Sequence, residues 1–158
     1  MIFRNIIRMA CAGAVLCSFL LFSGCATVPV SEKPARVESL LARLEQGDAE
    51  SNTRLTHVPF VLDGEIMATR KDARLMWENL AGISGLFSDP EIERIYPAGP
   101  EEYGKFAGTA DMRVFFDRAL PENTTVVEVE TSFGSFLLLV SGKRFGVPVL
   151  VGLKGPVQ

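Results

Sequence analysis

Cysteine and histidine are scarce in this chain of 158 residues, which contains three cysteines and one histidine. Cys11 and Cys17 lie in the apolar N-terminal stretch, so Cys25 is the last thiol along the chain. A transition-metal site needs several imidazole or thiolate ligands, and a disulfide needs a second cysteine. We therefore expect neither a metal site nor a disulfide in the chain that follows residue 25.

Motifs for nucleotide binding and acyl transfer are also absent. The sequence contains no G-x-x-x-x-G-K-[ST], G-x-G-x-x-G or G-x-S-x-G run, so neither a phosphate-binding loop nor a nucleophile elbow is indicated. Basic residues form no run, and all 19 acidic residues follow residue 25, whereas Arg4 and Arg8 precede it. An acidic body with scattered basic residues disfavours nucleic acids and anionic membrane surfaces as partners. We expect no cofactor and no nucleic-acid partner.

The N-terminus combines positive charge, an apolar run and small residues. Arg4 and Arg8 precede an uncharged stretch of fourteen residues at 9–22, MACAGAVLCSFLLF. This length is typical of the apolar region of an export signal, whereas a membrane-spanning helix needs about 20 residues. Ser23 and Gly24 then supply the small side chains that a signal-cleaving protease accepts beside the scissile bond.

The stretch LFSGC at 21–25 resembles the lipobox of bacterial lipoproteins, with Phe22 as a departure from the usual aliphatic residue. The resemblance implies cleavage between Gly24 and Cys25, followed by attachment of acyl chains such as palmitate to Cys25. Ala26 stands where an aspartate would favour retention in the inner membrane. The implied location is therefore the outer membrane, facing the periplasm. A plain secretory signal and an uncleaved anchor are the alternatives.

The sequence divides into a signal peptide at 1–24, a lipidated N-terminus with a tether at 25–34, and one globular domain at 35–155. Residues 26–34, ATVPVSEKP, contain two prolines and no apolar periodicity. Such a segment stays extended and, at about 3.1 Å per residue, reaches about 28 Å. The expected partner of this region is the lipid bilayer, to which the acyl chains on Cys25 would hold the protein.

Apolar periodicity and capping residues predict four helices in the domain. The first ends at Gly47, and Asp48, Thr69 and Thr109 are candidate N-caps of the other three, of which the shortest runs to Leu55. The core faces of the three longer helices consist of Val37, Leu40, Leu41 and Leu44, then Ala73, Met76, Trp77 and Leu80, and then Met112, Phe115, Phe116 and Ala119. Trp77 and the phenylalanines at 115, 116, 133 and 136 are accordingly predicted to pack in the core.

Turn residues between apolar runs predict the strands. Asp63-Gly64 indicates a two-residue hairpin, with the turn exposed. The stretch EIERIY is a weak strand, whereas PAGPEEYGKFAG is predicted to be irregular surface in which Glu101 and Glu102 are solvated. TTVVEVET, SFLLLVS and VPVLVGL form an antiparallel meander, with FGSF as one of its turns. This order predicts a single α+β domain with helices packed on one face of a curved, mostly antiparallel, cone-like sheet.

Residues 40–80 resemble the opening of nuclear transport factor 2-like, or SnoaL-like, domains. In that family a helix ending in Gly-Asp leads to a second helix and then to a Pro-Phe strand, and Gly47, Asp48, Pro59 and Phe60 stand at those positions. The extra helix at 109–119 departs from the family pattern. The resemblance implies a cone-shaped sheet with an open apolar pocket, which some members use for acid–base catalysis and others only for binding.

The polar side chains that such a pocket could use are His57, Asp63, Asp72, Tyr96, Tyr103 and Asp111. The hairpin turn explains Asp63, a helix cap explains Asp72, and His57 is interpreted as a half-buried loop histidine, so we assign no catalytic residue. We expect a non-catalytic ligand-binding or accessory module for a small apolar ligand or an envelope protein. The alternatives are an isomerase, dehydratase or hydrolase working in the cone, and an envelope-assembly interaction protein.

Overall fold

Six strands form one curved, unclosed sheet in the computed structural model, which describes residues 34–81, 83, 85–142 and 147–157. The strands are β1 (Thr56–Leu62), β2 (Glu65–Met67), β3 (Glu91–Pro97), β4 (Thr124–Thr131), β5 (Gly134–Ser141) and β6 (Val149–Val157). They lie in the order β2-β1-β6-β5-β4-β3, and β1 with β6 is the one parallel pair among them. The predicted α+β class with a mostly antiparallel sheet is confirmed. The predicted signal peptide and Cys25 lie outside the described residues.

The helices are α1 (Pro34–Gln46), α2 (Ala49–Leu55), α3 (Arg70–Leu80), a 3₁₀ turn (Pro100–Glu102), α4 (Tyr103–Phe106) and α5 (Ala110–Arg118). All three predicted N-caps are confirmed, because each side-chain oxygen accepts a backbone N–H from the first helical turn. These bonds run from Ser51 N to Asp48 Oδ1 at 2.7 Å, from Asp72 N to Thr69 Oγ1 at 3.2 Å and from Met112 N to Thr109 Oγ1 at 3.2 Å. No helix in the described ranges is long and apolar enough to span a bilayer.

The Asp63-Gly64 turn has the predicted geometry. Both residues have positive φ angles, +46° and +91°, as a type I′ turn requires. Leu62 pairs with Glu65 and Phe60 with Met67, so the turn sets the register of β1 and β2. Asp63 is exposed, as predicted, and its backbone N–H donates to Leu153 O at 3.0 Å. The hairpin is thereby fastened to β6 as well as closed on itself.

One face of the sheet is covered by α1, α2 and α3. The four predicted core residues of α1 are buried together with Ala73, Met76 and Trp77 of α3. They pack with sheet side chains, which are Phe60, Val127, Val129, Phe136, Leu138, Val140, Leu150 and Leu153. These lie at alternate positions of β4 and β5, whereas the pairing of β6 is irregular between Leu150 and Gly152. Because alternate residues of a strand point to the same face, this is one continuous apolar layer.

The opposite face carries a second, smaller core. It is formed by Val61, Val126, Leu139 and Val151 from the intervening strand positions and by Phe106, Met112, Phe115 and Phe116 from α4 and α5. The predicted packing of helices on one face therefore describes α1 to α3, whereas α4 and α5 add a layer on the other face. The apolar stripe of α5 is visible in the sequence. The sequence does not indicate which face of the sheet this stripe covers.

Two local predictions are wrong. The stretch PAGPEEYGKFAG is not irregular surface, because it forms the 3₁₀ turn and α4 and buries Phe106 to 2 % exposure. A helix of four residues is too short to show apolar periodicity in a sequence. Phe133 is 47 % exposed rather than in the core, because it occupies the turn between β4 and β5 instead of a strand position.

Candidate functional site

Two strands and a short helix bring five polar side chains together on the second face of the sheet. These residues, which we call the charged network, are Arg94, Tyr96, Glu102, Lys105 and Glu128. Lys105 Nζ donates to Tyr96 Oη at 2.6 Å, and Tyr96 Oη donates to Glu128 Oε1 at 2.9 Å. Arg94 Nε donates to the other carboxylate oxygen, Glu128 Oε2, at 2.7 Å. Glu102 Oε2 lies 3.0 Å from Lys105 Nζ, and Lys105 Nζ also lies 3.9 Å from Glu128 Oε1, so three ion pairs surround the phenol.

Strand register and the α4 turn produce this arrangement. Arg94 of β3 lies directly opposite Glu128 of β4, and an irregularity in the pairing between Ile92 and Arg94 shifts the register just before them. Opposite charges at facing positions of neighbouring strands attract each other. Helix α4 then places Lys105 above Tyr96, with its Nζ atom 4.6 Å from the ring centroid. The network borders an open cleft of about 290 Å³, whose apolar wall includes Leu137.

The surroundings of Lys105, Tyr96 and Glu128 each oppose a change in protonation. The hydrogen bond to Tyr96, together with Glu102, raises the pKa of Lys105. Burial is the largest influence on Tyr96 and raises the pKa of its phenol, although the bond from Lys105 acts in the opposite direction. For Glu128, burial acts to raise the pKa, but the bonds from Tyr96 and Arg94 outweigh it and the pKa is lowered. A general acid or base works best with a pKa near the working pH, so this network is poorly suited to proton transfer at neutral pH.

The lowered pKa of Glu128 makes the stability of the domain depend on pH. A carboxyl group whose pKa is lower in the folded chain stabilises the fold above its unfolded pKa, and this contribution is lost as the pH falls through the folded value. We expect Glu128→Gln to lower the free energy of unfolding by about 1 kcal/mol at neutral pH, since it removes a charged hydrogen-bond acceptor. The difference should shrink as the pH falls below the ordinary glutamate pKa and then through the lower pKa of the folded chain, because the native carboxylate is then protonated too.

Urea unfolding of both proteins at neutral and acid pH measures this difference. Glu91→Gln is the matched control, because Glu91 lies exposed on β3 and its side chain makes no hydrogen bond or ion pair within the part of the chain that the structure describes. A Glu128→Gln effect of equal size at both pH values would contradict the assignment of the stabilisation to the ionised carboxylate.

A second concavity, of about 230 Å³, lies where α1, α2 and α3 meet, and its lining includes Leu44, Asn52, Trp77 and Leu80. Asn52 Nδ2 donates to Leu44 O at 2.9 Å, and Asn52 Oδ1 is buried without a hydrogen-bond partner among the described residues. A Cβ atom added at Gly47 would overlap Asn52 Oδ1. Gly47 is therefore needed for the close approach of the Asn52 amide. This packing encloses Asn52 Oδ1, so the atom is not presented to a ligand.

The structure does not bring the six candidate polar residues together. His57 is half-buried, as predicted, but lies on β1 instead of in a loop, and its Nδ1 has no partner in the described chain. The turn residue Asp63 accepts a bond from Gly155 N at 2.9 Å, and Asp72 bonds to Thr69 in the helix cap. Tyr103 accepts a bond from Arg113, and Asp111 is exposed in the first turn of α5. Across the described ranges, no hydrogen bond or ion pair joins any two of the six.

Sequence reasoning included Tyr96 among the candidates but missed Arg94, Lys105 and Glu128. Glu102 was predicted to be solvated together with Glu101, and this is wrong, because Glu102 is half-buried against Lys105. The alternation of polar and apolar residues in TTVVEVET could have placed Glu128 on the second sheet face. Its pairing with Arg94 depends on the β3–β4 register, for which the sequence contains no turn signal.

The described residues contain no group of three or more histidine, cysteine, aspartate or glutamate side chains placed to hold a metal ion. Comparison with known proteins provides no further assignment, since the chain matches no protein-family model, no curated protein and no solved structure.

Proposed function

We propose that this chain is a lipid-anchored protein of the bacterial cell envelope whose folded domain is a non-catalytic accessory module. Support for the anchor comes from the series of charge, apolar run and small residues that ends at Cys25. Helix α1 begins at Pro34, so the proposed attachment point precedes the first described element by nine residues. An anchor there leaves the packing of the domain undisturbed, and the outer membrane, facing the periplasm, is its proposed location.

The filled interior is the observation that carries the non-catalytic assignment. Leu40 and Leu41 of α1 and Leu138 of β5 have no exposed surface and meet in the layer between helices and sheet. A catalytic cone would need an open pocket there, with polar groups converging on a substrate. Apolar side chains occupy that space instead. This favours an accessory role over an isomerase, a dehydratase or a hydrolase.

The resemblance to nuclear transport factor 2-like domains is part of this proposal. The order of α1, α2, the Pro-Phe strand and α3, followed by a meander, supports it. The departures are the filled interior and the layer of α4 and α5 on the second sheet face. We therefore propose a member of this group that has no working pocket, in which contacts with other envelope components occur at the surface.

Benzene binding tests whether the interior is filled. We expect benzene to leave the thermal unfolding midpoint of the native chain unchanged, because an apolar ligand needs an empty cavity. The matched variant is Leu138→Ala, which removes a fully buried side chain and creates space at that position. Benzene should raise the midpoint of this variant. Saturable stabilisation of the native chain by benzene would show that an open pocket exists. That result would favour the enzyme or small-ligand alternatives.

A further inference from the structure

Four cationic side chains from two helices lie together on the outer surface of the helical layer. A concavity of about 520 Å³ is lined by Arg54, Arg70, Lys71 and Arg74 together with Glu50 and Thr53. We call these six residues the basic surface. Arg70, Lys71 and Arg74 lie within residues 70–74, and the β1–β2 hairpin separates them from Arg54 of α2. The four cations therefore do not form one run in the sequence.

The positive character of this region extends beyond the four cations. Arg43 of α1 and Arg54 line an adjoining concavity, so the basic surface continues towards the end of α1. Arg70 and Lys71 are the first two residues of α3. The N-terminus of a helix carries a partial positive charge that favours anions. Three carboxylates lie among these cations, since Glu50 and Glu78 pair with arginines and Asp72 bonds to Thr69 in the helix cap. Five cations and three anions leave an excess of positive charge, which the helix dipole reinforces, on a chain whose net charge is −3.

The cations of the basic surface are available to an incoming anion. Arg54 pairs with Glu50 at 2.8 Å and Arg74 with Glu78 at 2.9 Å, and the two arginine side chains are 64 % and 59 % exposed. Exposed ion pairs within a helix are weak, so a guanidinium can exchange its carboxylate for another anion. Lys71 is exposed and has no partner in the described part of the chain.

One contact fixes the position of the surface. Arg70 Nη1 donates to Thr53 O at 3.2 Å, which joins the start of α3 to α2. This bond holds the cations of the two helices over a common concavity instead of leaving them on separate elements. Arginine is well suited to phosphate, because its planar N–H groups match two phosphate oxygens at once.

We propose that the basic surface binds the phosphate groups of anionic phospholipids in the membrane that holds the chain. This inference rests on the lipid anchor of the proposed function, because the anchor keeps the domain beside a bilayer. Helix α1 has 13 residues, a length of about 20 Å, and the tether before it reaches about 28 Å. The basic surface lies towards the far end of α1 from the tether. Because the tether is longer than α1, the domain can turn this surface towards the bilayer. Attraction is confined to about 10 Å by salt, so the acidic remainder of the domain does not prevent it.

The experiment compares the acetylation rates of Lys71 and Lys154 in the full-length lipidated chain, reconstituted into vesicles and analysed by mass spectrometry. One set of vesicles contains phosphatidylcholine alone, and the other contains phosphatidylcholine with phosphatidylglycerol. We expect Lys71 to react about three- to tenfold more slowly on the anionic vesicles, and the protection to disappear at high salt. Lys154 lies on β6 and binds Lys105 O, away from the basic surface, so its rate should not change.

Paired substitutions identify the cations responsible. Arg54→Gln with Arg74→Gln should abolish the protection of Lys71. The control, Arg113→Gln with Arg118→Gln, removes the same charge from exposed positions of α5 and should preserve it.

Equal acetylation of Lys71 on both kinds of vesicle would overturn the inference, as would equal loss of protection in the two double variants. A third result would also overturn the inference. If inorganic phosphate protected Lys71 on neutral vesicles to the same extent as the anionic lipid, the site would bind a small ion instead of a membrane. Flotation of the vesicles reports the anchor separately. A chain that floats without protecting Lys71 refutes the basic surface alone, and a chain that fails to float refutes the anchor.

Discussion

Replacing Trp77 with alanine is expected to lower the free energy of unfolding by about 3 to 5 kcal/mol, enough to unfold a domain of ordinary stability. The indole is 3 % exposed, and its ring centroid lies 6.5 Å from that of Phe87. Its Nε1 donates to Thr56 Oγ1 at 2.8 Å, and that hydroxyl donates to Asn52 O at 2.8 Å. The substitution would therefore remove apolar contacts and also interrupt a chain of buried hydrogen bonds between α3, β1 and α2.

Urea unfolding measures this effect. Circular dichroism must follow the transition, because Trp77 is the only tryptophan in the chain and the variant has no tryptophan fluorescence. Trp77→Phe keeps most of the apolar volume but removes the donor to Thr56, and should cost about 1 to 2 kcal/mol. Leu75→Ala is the control on the same helix, where a side chain that is 55 % exposed should matter by less than about 0.5 kcal/mol. A Trp77→Ala domain as stable as the Leu75→Ala domain would refute the packing of α3 on the sheet.

Replacing Cys25 with alanine is expected to abolish lipid attachment and to release the chain from membranes. A thioether can form only at a thiol, and the sequence has no cysteine after residue 25 that could take its place. Two or three acyl chains hold a protein to a bilayer almost permanently, whereas a single chain anchors it only marginally. The effect on membrane association should therefore be nearly all or none.

Growth of the expressing bacterium with labelled palmitate, followed by detergent-phase separation, measures this attachment. Cys17→Ala is the matched control, because Cys17 is a thiol inside the apolar run that cleavage before Cys25 would remove. Cys17→Ala should be labelled like the native chain. Equal labelling and equal membrane association of Cys25→Ala would show that the stretch at 21–25 is not a lipobox.

Local signals in the sequence predict local elements of the structure well. The spacing of Val37, Leu40, Leu41 and Leu44 identifies the buried face of α1, since a helix repeats every 3.6 residues. Asp63-Gly64 fixes a turn type because both positions need positive φ. The strands of the meander follow from β-branched and aromatic runs between turn residues. In each case the information lies within about ten residues of the element.

Features that depend on contacts between distant segments could not be predicted. Glu128 meets Arg94 through strand register, and Lys105 reaches Glu128 through α4, which is too short to leave a pattern. Arg54 and Arg74 come together only because α2 packs against α3. The scattered basic residues were interpreted as evidence against an anionic membrane surface, and that argument does not allow for cations brought together by folding.

The position of β6 has a consequence for biogenesis. This strand lies between β1 and β5, and its pairing of Gly152 with Val61 joins the N-terminal hairpin to the meander. Contacts between such distant residues form late, because a long loop must close before they stabilise anything. In the export that we propose for this chain, the N-terminus crosses first, so the sheet could not be completed until residues 149–157 had crossed. The strand order would then delay folding until the proposed export is nearly complete.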